Sequence, residues 1–259
     1  MKNYINQIGF SLLAMAITLI VFEWTALDIR FQNLLFDPIH HHWLWSGSEP
    51  VKRILFYKLP KLLLILFGLA LILGLVFKRR FGVSDGLARR LRIVLFSMIA
   101  IPLSVQQLKA HTNVACPKNL TLFGGAIAYT TIFSPYPPGQ IPAKRQRGFP
   151  AGHASGGFAL LSLWFLFDSP KNRRKSLLIG LFVGGSMGVY KMLIGDHFLS
   201  HTLISIEIAW FWMFTVAGCE ALVFHLRHPE EGHASGSRKS ILASIPPSKS
   251  EPQQGEIAR

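Results

Sequence analysis

The sequence predicts an all-α, polytopic membrane protein, a six-transmembrane-helix bundle, on three observations. Half of the residues are hydrophobic and only 15% are charged, where soluble domains carry about a quarter charged residues. The apolar residues gather into six long runs, most near the ~20 residues that a spanning helix needs. Lysine and arginine concentrate in two short connections, one holding Lys78, Arg79, Arg80, Arg89, Arg90 and Arg92, the other Lys171, Arg173, Arg174 and Lys175. In a six-helix alternation these connections share a side, which the positive-inside rule makes cytoplasmic.

Each element follows in order. The first run, about 8–27, exceeds the ~7–15-residue apolar core of a signal peptide and lacks a small-x-small site after it, so it is expected to be a retained helix. An outer loop follows, with the tip "DPIHHHWLW". Trp43 and Trp45 suit a membrane–water interface, and His40, His41 and His42 read better as incidental interfacial histidines than as metal ligands. The second and third helices are expected at about 59–77 and 91–108. Between 109 and 150, Pro117, Pro135, Pro137, Pro138, Pro142 and Pro150 exclude a long helix. Phe123, Tyr129, Phe133 and Tyr136 favour an ordered cap there over disorder. The remaining helices are expected at about 154–168, which is short, 176–194 and 202–224. Residues 1–226 thus form one membrane-embedded domain, and the polar segment 227–259 is expected to be a disordered cytoplasmic tail.

The alternation puts both termini in the cytoplasm and the loops 28–58, 109–153 and 195–201 outside. Lys52, Arg53, Lys58 and Lys61 stand against the charge rule and suit anionic lipid head groups. Topology thereby accounts for most of the net charge of +14, and no nucleic-acid partner is expected. Cys116 and Cys219 fall at different levels, so no disulfide is expected, and no CxxC motif exists.

Ionisable residues at a membrane are costly and tend to be functional. Lys109, His153, Lys191, His197 and His201 all fall at the outer ends of the last four helices. His153 lies in "FPAGHAS", where Pro150 ends the loop, Gly152 allows close approach, and the unsatisfied N–H groups of a helix start favour an anion. The same GHASG letters recur around His233, in the polar tail and without an apolar helix behind them. His197 and His201 are four residues apart and share a helix face if the helix begins there. They suit a nucleophile with its neighbour, or half a zinc site. Glu23, Glu207 and Glu220 lie within apolar runs; Glu207 is a candidate to orient a bundle partner, a role not separable from an interhelical hydrogen bond.

The order of these groups resembles the type-2 phosphatidic-acid-phosphatase superfamily, related to vanadium haloperoxidases, over roughly 105–205. Against its K-x6-R-P stand Lys109, Cys116 and Pro117. Against P-S-G-H stand Pro150, Ala151, Gly152 and His153. Against S-R-x5-H-x3-D stand Tyr190, Lys191, His197 and His201. The resemblance implies a metal-independent lipid phosphatase without cofactor, acting at the periplasmic face of a bacterial inner membrane. Its substrate would be a lipid phosphate monoester or pyrophosphate, such as lipid A, undecaprenyl pyrophosphate, phosphatidylglycerol phosphate or phosphatidic acid. His197 would be the nucleophile and His153 the general acid and base. Lys109, Lys191 and Gly152 would bind phosphate, and His201 would stand where the family has its orienting Asp. Protonation of His197 and His201 would then end activity at acidic pH. Cys116 replaces the family's arginine, and Arg145 or Arg147 are the candidates to supply that charge, with Lys144 a weaker one. A lipid phosphotransferase, a non-catalytic lipid-binding or transport protein, and a zinc hydrolase stay open as alternatives.

Overall fold

The computed structural model describes residues 2–227. The tail from 228 on, including the second GHASG copy at His233, lies outside the described residues. The chain divides into two units, 1–220 and 221–259, and the first carries all that follows apart from residues 221–227 of α8. It is all-helical apart from one small hairpin, in the order α1 (Lys2–Trp24), α2 (Leu27–Asn33), β1 (Phe36–Asp37), β2 (His42–Trp43), α3 (Pro50–Arg53), α4 (Leu59–Val76), α5 (Asp85–His111), α6 (Gly152–Phe158), α7 (Pro170–Leu193) and α8 (Leu199–Arg227).

Five helices are long and apolar enough to cross a membrane: Lys2–Trp24, Pro50–Val76, Asp85–His111, Pro170–Leu193 and Leu199–Arg227. The second joins α3 and α4 through a π-helical stretch, Ile54–Lys58. Most of them run several residues beyond the expected bounds, because helices continue past the apolar core wherever polar residues can face water. α4 leaves Leu62, Leu63, Leu66 and Leu69 about half exposed, a surface for lipid tails rather than water.

The expected fourth helix departs from the sequence reading. It is α only over Gly152–Phe158 and 3-10 over Ala159–Leu166, so by length and composition it is not a sixth spanning helix. It still runs most of the length of α5. One end lies at Lys109, whose Cδ is 3.6 Å from where a Cβ on Gly152 would stand. At the other, Arg90 clasps Asp168 at 2.7 and 2.8 Å. The 3-10 turns explain the reach, because a rise of about 2.0 Å per residue stretches the segment to roughly 26 Å.

Close backbone packing holds this segment. Gly157 meets the backbone of Gly184, Gly180 the backbone of Leu161, and Gly184 the ring of Phe158; a Cβ at any of the three would stand under 3.0 Å from its neighbour. Gly180, Gly184 and Gly188 recur every four residues and make a flat face on α7, the small-residue arrangement by which helices approach within membranes. The sequence reading did not single out this stripe. Arg92 also pairs with Glu220 at 2.9 and 3.0 Å. Thr18 donates to Glu207 at 2.6 Å, and Glu23 accepts from Thr131, Ser134 and the Phe133 N–H. All three intramembrane glutamates therefore join elements distant in sequence.

Residues 112–151 are ordered, with short 3-10 turns at Pro117–Asn119 and Thr121–Phe123. Leu120 and Phe123 form a small core there with Phe36, Ala115 and Phe198. The expectation of an ordered cap matches this packing.

Candidate active site

α7 ends in a reverse turn that aims the next residues back at the bundle. Gly195 takes φ +71° and leaves no room for a side chain, since a Cβ would overlap the Trp43 indole. The Asp196 N–H then returns to the Lys191 carbonyl at 2.8 Å. α8 starts directly afterwards. Its first turn is capped from far away by Asp28, which accepts from the Ser200 N–H at 3.0 Å and from the Ser200 hydroxyl. Burial is the main influence on Asp28 and raises it to about 6 against those hydrogen bonds.

This geometry leaves His197 in the turn and His201 in the first turn of α8, 3% and 2% exposed. Their Nδ1 atoms are 3.4 Å apart. The rings of Phe149 and Phe198 each meet His201 edge-on at 5.3 Å, and the Gly148 backbone is hydrogen-bonded to its ring. Burial, then the charge of Lys109, holds His197 well below the ordinary histidine range, so it is neutral.

The start of α6 is tied to the same turn. The Ala151 N–H donates to the His201 carbonyl at 3.0 Å, and the Ser205 hydroxyl to the Ala151 carbonyl at 3.0 Å. The His153 ring thereby comes to 6.4 Å from the His197 ring, centroid to centroid. Its Nδ1 is buried and has no hydrogen-bond partner among the described residues. Lys109 reaches Gly152 from α5, its Nζ 3.7 Å from the position of a Cβ there.

Lys191, Asp196 and Lys118 form one ion network. Asp196 takes Lys191 Nζ at 2.7 Å on one oxygen and Lys118 Nζ at 2.8 Å on the other. The Lys118 N–H also bonds the Gly195 carbonyl at 2.9 Å. Burial alone would raise Asp196, but the two ammonium groups outweigh it and hold the carboxyl below its ordinary range. The hydrogen bond to Asp196 in turn raises Lys118. Burial raises the thiol of neighbouring Cys116. Tyr57, in the π-helical stretch, touches both sides of the site: its ring is 4.7 Å from that of His153 and 5.0 Å from Lys191 Nζ.

Of the residues nominated from sequence, Lys109, Gly152, His153, Lys191, His197 and His201 come together. Arg145 and Arg147 are exposed. Arg145 donates to the His111 carbonyl, and Arg147 lies within Coulombic reach of Lys109. Sequence reasoning missed Lys118, Asp196 and Tyr57. Asp196 adjoins His197 and Lys118 follows Pro117 directly, but no spacing rule brings positions 118, 191 and 196 to one point.

A groove of about 650 Å³ leads away from the site. Lys61, Gln106, Lys109 and His153 line its polar end. Leu64, Leu69, Met98 and Ile99 line the part that descends between α4 and α5.

Comparison with known families shows that a family profile described as PAP2 superfamily fits residues 90–223. Searches of curated proteins and of solved structures returned no match.

Proposed function

Because this chain belongs to the PAP2 superfamily, whose members are generally phosphatases, we propose that it is an integral-membrane enzyme hydrolysing the phosphate monoester or pyrophosphate of a lipid. In this reading the segment 152–166 is the sixth crossing, the site faces the periplasm of a bacterial inner membrane, and both termini are cytoplasmic. The observation that carries the proposal is the convergence of His153 and His197, 6.4 Å apart, between the ammonium groups of Lys109 and Lys191. The groove supports a lipid substrate, since its polar end adjoins His153 and its walls become apolar with depth.

The mechanism follows from the ring nitrogens. In this reading His201 accepts the His197 Nδ1–H on its own Nδ1, the two atoms being 3.4 Å apart. His197 Nε2 then carries a lone pair directed at phosphorus. Its attack forms a P–N bond and breaks the P–O bond to the lipid. His153 gives its proton to the departing oxygen; the negative phosphate beside it favours the protonated ring. Water then attacks the phospho-histidine. His153 takes the water proton, the P–N bond breaks, and both histidines return to their starting states.

Lys109 and Lys191 stabilise charge on the phosphoryl oxygens. Lys118 supplies the cation that Cys116 cannot, with Asp196 holding Lys118 and Lys191 in place until phosphate arrives. No metal ion is required for these steps. A neutral His201 brings no negative charge to the phospho-imidazolium, so the intermediate is less stabilised than beside a carboxylate.

Phosphate release from a panel of lipid phosphates tests the proposal. Purified protein releases phosphate from at least one lipid, while His153→Ala and His197→Ala lose at least about 10²-fold in turnover. Unimpaired turnover in both variants would overturn it.

A further inference from the structure

The hairpin β1–β2 carries a second cluster of chemistry, outside the candidate active site. Asp37 and His42 face each other across it as a register pair, and His40 stands on the connecting turn. One ligand atom from each of Asp37, His40 and His42 lies within 4.8 Å of the other two, and this is the only such group of three found among the described residues. Asp37 Oδ2 is 2.8 Å from His40 Nδ1 and 3.7 Å from His42 Nε2. Ligand atoms of a tetrahedral zinc site stand about 3.3 Å apart, given bonds of about 2.0–2.1 Å. The cluster is therefore within side-chain adjustment of that geometry.

The surroundings orient Asp37 and His42, while His40 Nδ1 donates to Asp37 Oδ2 and gives up that proton when an ion takes its place. Asp37 Oδ1 accepts the backbone N–H of Ile39 at 2.8 Å and of His40 at 3.2 Å, leaving Oδ2 for the imidazoles. His42 Nδ1 lies 3.3 Å from the Trp43 carbonyl. Donation there places the lone pair on Nε2, the atom nearest the carboxylate; ligating histidines are commonly oriented by such an outer bond. The His40 and His42 rings stack at 5.8 Å and 18°. Between them His41 is held at φ +52°, a left-handed conformation rarely adopted by a residue with a Cβ.

We propose that Asp37, His40 and His42 bind one divalent transition-metal ion of the zinc class. Two neutral imidazoles and one carboxylate suit Zn2+ and exclude a preference for Mg2+, which favours oxygen ligands. The ion cross-links two strands of only two residues each, a hairpin too short to be stable alone. The role is structural: Trp43, next to ligand His42, covers Gly195 in the turn that carries His197, and the Trp45 N–H bonds the Leu193 carbonyl at 3.3 Å. A fastened hairpin keeps that turn covered. The inference does not depend on the phosphatase reading.

Calorimetric titration of Zn2+ into the EDTA-stripped, untagged full-length protein in detergent tests it, with Mg2+ as control. One Zn2+ per chain binds, the affinity falls at least tenfold in Asp37→Asn, His40→Gln and His42→Gln, and it is unchanged in His153→Ala and His41→Gly. Zn2+ raises the thermal midpoint of the wild type and not of His42→Gln. The variants' elution volume and circular dichroism report whether they fold, and His40→Gln retains a hydrogen-bonding side chain towards Asp37. Absence of Zn2+ binding by the stripped wild type, or wild-type affinity in all three folded ligand variants, would overturn the proposal. So would loss of binding in His153→Ala.

Discussion

Lys118 and His197 set the tests at the scale of single residues. In the proposed reading Lys118, Arg145 and Arg147, all three exposed, are the candidates for the charge that Cys116 does not supply, and of them Lys118 is ion-paired to Asp196. We expect Lys118→Ala to raise KM for a lipid phosphate roughly tenfold, the worth of about 1.4 kcal/mol, and Lys118→Arg to restore most of it. Arg145→Ala and Arg147→Ala should each change turnover less than about twofold, since neither is ion-paired with Asp196 as the equally exposed Lys118 is; a large loss in either would return the role to them. In the proposed mechanism the nucleophile His197 sets the pH dependence. Burial depresses it well below the ordinary range, so it stays neutral and nucleophilic as pH falls through about 6.5, where a free histidine protonates. The acid limb of kcat should therefore lie below that pH. This moves the loss at acidic pH anticipated from sequence to a lower value. Stability has the same sign. The unfolded chain takes the proton first, so this contribution is present above about pH 6.5 and is lost as pH falls towards the depressed folded value. A thermal midpoint that rises on acidification from pH 7 to 5 would contradict this sign.

At the scale of elements, the short fourth segment depends on the glycine face of α7. Gly184 and Gly185 are neighbours in sequence and opposites in space. A Cβ at Gly184 would overlap the Phe158 ring, whereas nothing lies within 4 Å of one at Gly185. Gly184→Ala should cost about 1–3 kcal/mol through overpacking, read as a lower thermal midpoint in detergent. Gly185→Ala should be neutral or slightly stabilising, because alanine favours the helix. Equal midpoints would mean that α7 does not approach the fourth segment through this face. Since Gly157 meets Gly184 and lies four residues after His153, loosening this contact should also lower turnover in Gly184→Ala.

At the scale of the whole molecule, the groove leads from the candidate site along α4 and α5, and in the proposed reading it holds the lipid tail. Gly68 lines it and has open space around it. Gly68→Leu should fill the groove without disturbing the helix. We expect kcat/KM for a long-chain lipid phosphate to fall at least about tenfold, the order of one or two methylene-sized contacts per step along the chain. Hydrolysis of a short water-soluble phosphate ester should be retained. Equal losses for both substrates would place the tail elsewhere. The far end is clasped by the Arg90–Asp168 and Arg92–Glu220 pairs, which join α5 to the segment after α6 and to α8. With Asp28 capping α8 from α2, the ends of the bundle are tied by residues 78 to 172 positions apart.

The sequence by itself determined the membrane class, because apolar length is a local property and the bilayer sets its scale. It also determined the histidines and two of the lysines of the candidate site, because each stands at a helix end whose position the apolar runs define. Tertiary structure alone decided three things. The fourth segment is stretched as 3-10, since its length is matched to α5 and its path to the glycines of α7. Lys118 joins the site, since the closure of residues 112–151 carries it to Asp196. Asp37, His40 and His42 meet because a hairpin turns between them. The first two are contacts between groups whose separation along the chain has no fixed relation to their separation in space; the third is local, but its turn is set by packing of the hairpin against Phe123 and Gly195.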